Sequence, residues 1–281
     1  MLCTPDTSFQ LRQVQTSNTL FVTHPTLDAH ANKIPVPTTC AIASCPTTLE
    51  LHPAEGSAPV YLENLLPLYD IVDGEVDASG NGKSKASIFK DIPFSDGQCG
   101  QAWRDIMAFE FAGSSWRPSA NTLAQVWRSI NAAALADGVR LDSQFLIDDV
   151  AGAVAEEAYP ATLAVAILQR LASDEQEKDG LWSCLDRTKT VSFVGKVLLE
   201  ARRRQPAYLT ADFLDTWKDN LPEAWREGAE LKTIPGVYNL PTPTTIELNQ
   251  STAVDAEHGP PSKSGTSSRK WHEKFGRARQ S

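Results

Sequence analysis

Apolar and polar positions alternate in two rhythms along this chain, and the change of rhythm divides it. Residues 8–23 follow the two-residue period of a strand, with Phe9 and Leu11 on one side. Leu20, Phe21 and Val22 come after a polar break at Thr16, Ser17 and Asn18. This predicts two strands joined by a turn, because Ser and Asn side chains satisfy backbone groups locally. Residues 39–51 predict one or two more strands. Pro25, Pro35, Pro37, Pro46 and Pro53 are expected to keep the intervening segments out of any central ladder, since proline has no N–H to donate. Three or four strands leave open edges and too little surface for a closed core. Another chain is therefore expected to complete the sheet, with Phe9, Leu11, Val14, Leu20, Phe21 and Val22 as partner-binding candidates. The first strand begins almost at Met1, so the true start is expected to lie upstream.

From residue 60 the spacing becomes helical. Leu62, Leu65, Leu66 and Tyr69 fall at i, i+3, i+4 and i+7 and predict a helix over residues 60–71. Residues 73–87, rich in Gly, Ser, Asp and Lys, read as a flexible insertion. Residues 88–111 predict a helical pair with Trp103, Ile106, Met107 and Phe111 on its apolar face, broken at Gly113 before Trp116. The longest stripe, Leu123, Val126, Trp127 and Ile130, predicts a helix that opens at Asn121 and stops at Asp137 and Gly138. Helices over residues 142–154 and 160–171 follow, the first capped by Asp142 or Ser143 and the second with Pro160 in its first turn. A short segment then surrounds Trp182. Val191, Val194 and Leu198 mark the next helix. Thr210 is expected to cap one carrying Phe213, Leu214 and Trp217. Residues 223–231 predict a further helix, and residues 237–240 a strand.

The helix starts near 61, 123 and 189 recur at a spacing of roughly 60 residues, and so do Trp116, Trp182 and Tyr238. Helix, helix, helix and a short aromatic ribbon is the wiring of a winged-helix unit. The predicted fold class is thus α+β: a partial antiparallel β-domain over residues 1–57, then winged-helix units over 58–120, 121–186 and 187–245. Residues 246–281 are expected to form a disordered Pro/Ser/Thr linker and a basic tail.

Composition sharpens the picture in three places. No run of about 18 apolar residues suggests a membrane span, and residues 1–9 do not resemble a signal peptide. The five cysteines include no CxxC pair and no neighbouring histidine cluster, so reduced structural thiols are expected rather than a metal site. The net charge is −9, yet the chain from Lys263 onward carries a local +5, which leaves −14 on residues 1–262. An acidic body argues against binding nucleic acid over the whole surface and leaves room for protein partners.

Partial motifs do not mature into sites. Gly80, Gly82, Lys83 and Ser84 resemble the end of a phosphate loop, but Asp77 stands where glycine is needed and Pro93 is expected to preclude a following helix. Asp77, Ser79 and Asn81 open like a calcium loop, but Ile88 occupies the position of the bidentate Glu. A solvated linker accounts for both. Neither GxSxG nor HExxH occurs, and His24, His30, His52, His258 and His272 are scattered. The carboxylate runs at Asp148 and Asp149, and at Glu156 and Glu157, read as solvated faces. Neither catalysis nor a cofactor is expected.

The basic residues offer DNA-binding candidates. Arg202, Arg203 and Arg204 end a helix, where the dipole favours cations even without a ligand. Lys218, Arg226 and Lys232 lie in the same unit. Arg269, Lys270, Lys274, Arg277 and Arg279 belong to the tail, which reads either as a nucleic-acid contact or as a docking peptide anchored by Trp271 and Phe275. Among the seven tryptophans, Trp225 is expected to be partly exposed and most others to be packing residues.

Three landmarks carry a family resemblance: the strand-like stretch over residues 8–22, the helix over residues 61–69, and the pattern over residues 213–222. In that order they resemble the Dcc-type sister chromatid cohesion proteins, subunits of the alternative replication factor C clamp loader. Residues 268–277 are similar to the terminal basic segment of fungal members. The resemblance implies a nuclear, non-catalytic subunit. Its β-domain would pair with the small and large subunits of the loader. Its winged-helix units would contact the catalytic region of polymerase epsilon and DNA, with the sliding clamp engaged indirectly. The resemblance implies additional β-structure upstream of the strand that here begins near Met1, which the expected upstream start would supply. The alternative, a stand-alone winged-helix regulator, requires sequence-selective DNA binding at about 10⁻⁸ M or tighter. The acidic stretch from Asp148 to Glu157 opposes it, because a groove-reading helix needs basic flanks.

Overall fold

The N-terminal alternation forms one long ribbon. In the computed structural model, which describes residues 1–28, 36–72, 75–76, 82–173, 181–203, 205 and 208–249, β1 (Leu2–Cys3) pairs with the start of β2 (Ser8–Asp28). Strand β2 then pairs antiparallel with β3 (Val36–Pro53), from Phe9↔Pro53 out to Asp28↔Val36. The turn expected at Thr16, Ser17 and Asn18 is not there, and β2 continues through it. Instead the register shifts from Gln15↔Thr47 to Leu20↔Cys45, so four β2 residues oppose Pro46 alone. Proline cannot donate to a ladder, and a bulge absorbs the break. Pro25, Pro37, Pro46 and Pro53 therefore lie inside the ribbon, contrary to expectation. Beyond β1 the ribbon has two strands, so each is an edge where a missing N–H is tolerated. Pro35 falls outside the described residues.

The ribbon is rooted on the first helical unit. Ala54 N donates to Ser8 O and Gly97 N to Pro5 O, both at 2.9 Å. Helix α1 (Ala58–Leu65) is shorter than predicted, because Pro67 drives Leu66 out of the α region, to φ −85° and ψ 127°. Tyr69 consequently lies on a strand, β4 (Leu68–Tyr69), rather than on a helical stripe. A small hairpin follows, of β5 (Ile71–Val72) before the predicted insertion and β6 (Glu75–Val76) within it.

A helix does follow Ser84, contrary to expectation: α2 (Lys85–Asp91) fits before Pro93, its first turn capped by the Ser84 hydroxyl. Asp77 still removes the phosphate-loop match. Helix α3 (Asp96–Asp105) begins with a capping box between Ser95 and Gln98. The expected apolar face breaks up, since Ile106 is the cap of α3, Met107 adopts φ 51° and Phe111 is exposed. Strands β7 (Phe109–Phe111) and β8 (Ser114–Pro118) turn at Gly113, whose φ of +77° suits glycine.

In the second unit, α4 (Ala120–Ala136) buries Leu123, Val126, Trp127 and Ile130 as the stripe predicts. Strand β9 (Phe145–Leu146) displaces the start of α5 (Ile147–Glu156), so neither Asp142 nor Ser143 is its cap. Asp148 and Asp149 occupy its first turn instead, where the helix dipole favours acids. Pro160 occupies the N-cap position of α6 (Ala161–Leu171), one residue before the first turn where it was expected, and β10 (Trp182–Ser183) pairs with β9.

In the third unit, α7 (Arg187–Ala201) is capped by Asp186 and buries Val191, Val194 and Leu198. Strand β11 (Tyr208–Leu209) leads into α8 (Thr210–Asp219). Thr210 is the first helical residue rather than the cap. Two 3₁₀ turns, Glu223–Gly228 and Leu231–Thr233, replace the helix predicted over 223–231. Strand β12 (Tyr238–Thr242) pairs with β13 (Thr245–Leu248), which lies where a disordered linker was expected. Ile246 is fully buried, and that contact orders the strand.

In the first and third units the short strand after the first helix joins the last strand of a hairpin, in the orders β4-β8-β7 and β11-β13-β12, while in the second β9 pairs with β10 alone among the described residues. The β4–β8 pairing is parallel, whereas the β9–β10 and β11–β13 pairings are antiparallel. The units are fused. One continuous core runs from Tyr69 to Ile246, and a smaller one gathers Leu62, Ile88, Cys99 and Trp103. Trp127 Nε1 donates to Asn220 O at 2.7 Å, which ties α4 to the end of α8. Trp225 is only 2% exposed, against expectation, because its 3₁₀ turn packs on α7 beside Val191.

Candidate interaction surfaces

Strand pleating decides which side chains the ribbon shows on each face, since successive residues point to opposite sides. Between the root and the bulge, Phe9, Leu11 and Gln13 oppose Pro53, Leu51 and Leu49 and make one largely apolar face. Gln10, Arg12 and Val14 oppose His52, Glu50 and Thr48 on the other, where His52 Nε2 lies 3.5 Å from a Glu50 oxygen. Val14 is therefore on the polar face, away from Phe9 and Leu11. Beyond the bulge Leu20 and Phe21 are consecutive, so they point to opposite faces, and they are 62% and 60% exposed. Val22, Leu27 and Ile42 are exposed as well, and this half is apolar on both sides.

Of the six candidates on this ribbon, Leu11, Leu20, Phe21 and Val22 are exposed, while Phe9 and Val14 are half-buried. The sequence reading missed Leu27, Ile42, Leu49 and Leu51. The alternation of Leu49 and Leu51 with polar neighbours was the available signal. So much exposed apolar surface on a narrow two-stranded element makes the ribbon a candidate binding surface.

The basic candidates are spread out and mostly engaged. The Arg202 guanidinium sits 3.8 Å from the centre of the Tyr208 ring, a cation–π contact. Withdrawal from water raises the Glu200 carboxyl above the ordinary range; Arg203 and Arg117 pull it back down, and Glu63 adds to the rise. The residue as a whole remains exposed, so Glu200 is not a buried charge. Lys232 forms an ion pair with Glu230. Lys218 and Arg226 are exposed and make no ion pair among the described residues. Arg204, Arg269, Lys270, Lys274, Arg277 and Arg279 lie outside the described residues.

Two further surfaces flank these. Leu181 and Trp182 protrude from β10, with Trp182 53% exposed, and sequence reasoning named Trp182 only as a ribbon aromatic. Asp148 and Asp149 on α5 are solvated, as are Glu156 and Glu157 around its end. All five cysteines are free; Cys99 is buried, but Cys3, Cys40 and Cys45 are exposed rather than structural. Among the described residues, no group of side chains could hold a metal ion, and no helix is long and apolar enough to cross a membrane.

No curated protein matches the chain at a significant level. A family model does match, described as sister chromatid cohesion protein Dcc1, over residues 1–252. That span takes in the ribbon and all three repeats, from β1 through β13. The chain belongs to the family of the sister chromatid cohesion protein Dcc1.

Proposed function

We propose that this chain is a non-catalytic adaptor of the alternative sliding-clamp loader, acting within the role in sister chromatid cohesion that its family implies. One observation carries the reading. The ribbon offers apolar residues on both faces beyond its bulge, and among the described residues they are exposed to solvent. Burying roughly 25 cal/mol per Å² of such surface favours association strongly enough to hold an obligate partner. Strands from the other loader subunits are the occupants that fit, because they would satisfy the free ribbon edges as well as the side chains. Co-expression of the full chain with those two subunits tests this. Phe21→Asp should abolish the trimer while leaving the helical body folded; an intact trimer would defeat the proposal.

The repeated wiring supports winged-helix units, with polymerase epsilon as their protein partner and DNA as a secondary contact in the nucleus. The solvated acids of α5 argue against sequence-reading by the second unit, and the engagement of Arg202, Arg203 and Lys232 leaves Lys218 and Arg226 as the better phosphate contacts. Binding of the catalytic region of polymerase epsilon by the full chain, with and without primed DNA, separates protein docking from DNA-dependent recruitment. Lys218→Glu and Arg226→Glu should each flatten the salt dependence of DNA binding by about one charge.

A further inference from the structure

The end of α4 and the turn after it face the junction between α8 and the 3₁₀ turn Glu223–Gly228, and between them lies an open cleft of about 450 Å³. Buried Ala134, Leu141, Leu221 and Trp225 line its inner wall. At its lip stands Leu135, 83% exposed, more than any other large hydrophobic residue among those described. Three exposed carboxylates, Asp142, Asp219 and Glu223, share the rim with Arg140 and Arg226. Arg140 is already held by Asp142 at 3.4 Å. The rim is thus an apolar slot with an acidic bias, on a body that carries −14 up to residue 262.

We propose that the C-terminal segment of this same chain, anchored by Trp271 and Phe275, docks in the cleft. The two rings are four residues apart, the spacing that places side chains on one side of a helical turn. Arg269, Lys270, Lys274 and Arg277 surround them and complement the acidic rim. A volume of this order accepts aromatic groups. Reach is sufficient. Asn249 N donates to Val237 O at 2.8 Å in the unit that forms one wall, and the 19 residues from 250 to 268 separate it from Arg269. Fully extended, such a connection spans about 65 Å. Tethering gives the segment an effective concentration on the order of millimolar, so a weak contact is enough to fill the cleft. Docked there, the segment covers Leu135 and holds its cations against carboxylates, out of reach of other anions.

The test uses the full chain with Trp271→benzoylphenylalanine, a photo-crosslinking side chain. Expected crosslinks fall on the peptide containing Leu135 or on residues 221–226. They should drop several-fold in a Leu135→Asp background and at roughly 0.5 M salt, where the Debye length is about 4 Å. Leu135 is exposed, so that variant keeps its fold, checked by its unchanged circular dichroism. Scattered crosslinks, or cleft crosslinks indifferent to Leu135→Asp, would overturn the proposal. Mixing light and isotopically heavy chains adds a second discriminator, since light–heavy crosslinks would assign the cleft to another copy. Crosslinking to added duplex DNA, with no cleft product in its absence, would assign the segment to nucleic acid.

Discussion

Two glycines in helices test opposite consequences of the same substitution. A methyl group on Gly195 would lie 2.5 Å from the Trp217 indole, whose Nε1 donates to Val191 O at 3.0 Å, so the ring has little freedom to retreat. Overpacking of this kind costs about 1–3 kcal/mol, and Gly195→Ala should lower the thermal midpoint by several degrees. A methyl group added to Gly152 on α5 would meet nothing within 4 Å. Gly152→Ala should therefore raise stability by about 0.5–1 kcal/mol through helix propensity alone. Thermal unfolding of the two variants side by side checks both signs. An isolated glycine within a helical stripe signals close packing in general. Here the sequence could not say which of the two glycines carries that role, because Trp217 reaches Gly195 from another helix. The burial of Trp225 was hidden for a related reason: a 3₁₀ turn presents no stripe from which burial can be inferred.

At the level of elements, Gly97 fixes how the ribbon meets the helices. An added methyl at this position would lie 2.8 Å from Pro5 O and 2.7 Å from an Asp6 carboxylate oxygen. Gly97→Ala should loosen the root, and amide exchange of residues 2–9 and of Ala54 should accelerate while α4 and α7 keep their protection. Exchange that rises equally everywhere would show that the root is part of the general core instead. Long elements were legible because many residues vote for one period, as in α4 and α7. Two-residue strands such as β4, β9 and β11 carry no period, and this is why the starts of α5 and α8 were misplaced. The bulge at Pro46 was hidden as well, because a polar break reads the same whether the chain turns or simply slips register.

For the whole molecule, continuity of the core makes a strong prediction. Trp127 is buried between α4 and α7 and its hydrogen bond reaches Asn220. Trp127→Ala should cost about 3–5 kcal/mol and expose the second and third units together, in a single calorimetric transition. Separate transitions would mean that the repeats are independent domains. The long helical stripes and the uneven charge were visible in the sequence. Fusion of the units was not, since nothing in a stripe of apolar residues reveals whether it faces its own unit or the next. Of the candidate surfaces, the apolar strands of the ribbon were legible in outline. The quenching of Arg202 by an aromatic ring and of Lys232 by Glu230 required three-dimensional neighbours.

The root of the ribbon, with its backbone hydrogen bonds at Ala54 and Gly97, has a mechanical corollary. A strand of this length reaches roughly 65 Å, so a tilt of about 5° at the root would sweep its tip through some 6 Å. The ribbon is a boom held at a root that Gly97 and Ala54 share. A protein gripping the distal apolar half would have its position set less by the grip than by the stiffness of that pivot. Loosening Gly97 should broaden the distribution of distances between the ribbon tip and α4 without weakening capture at the tip, turning a fixed mount into a swinging one.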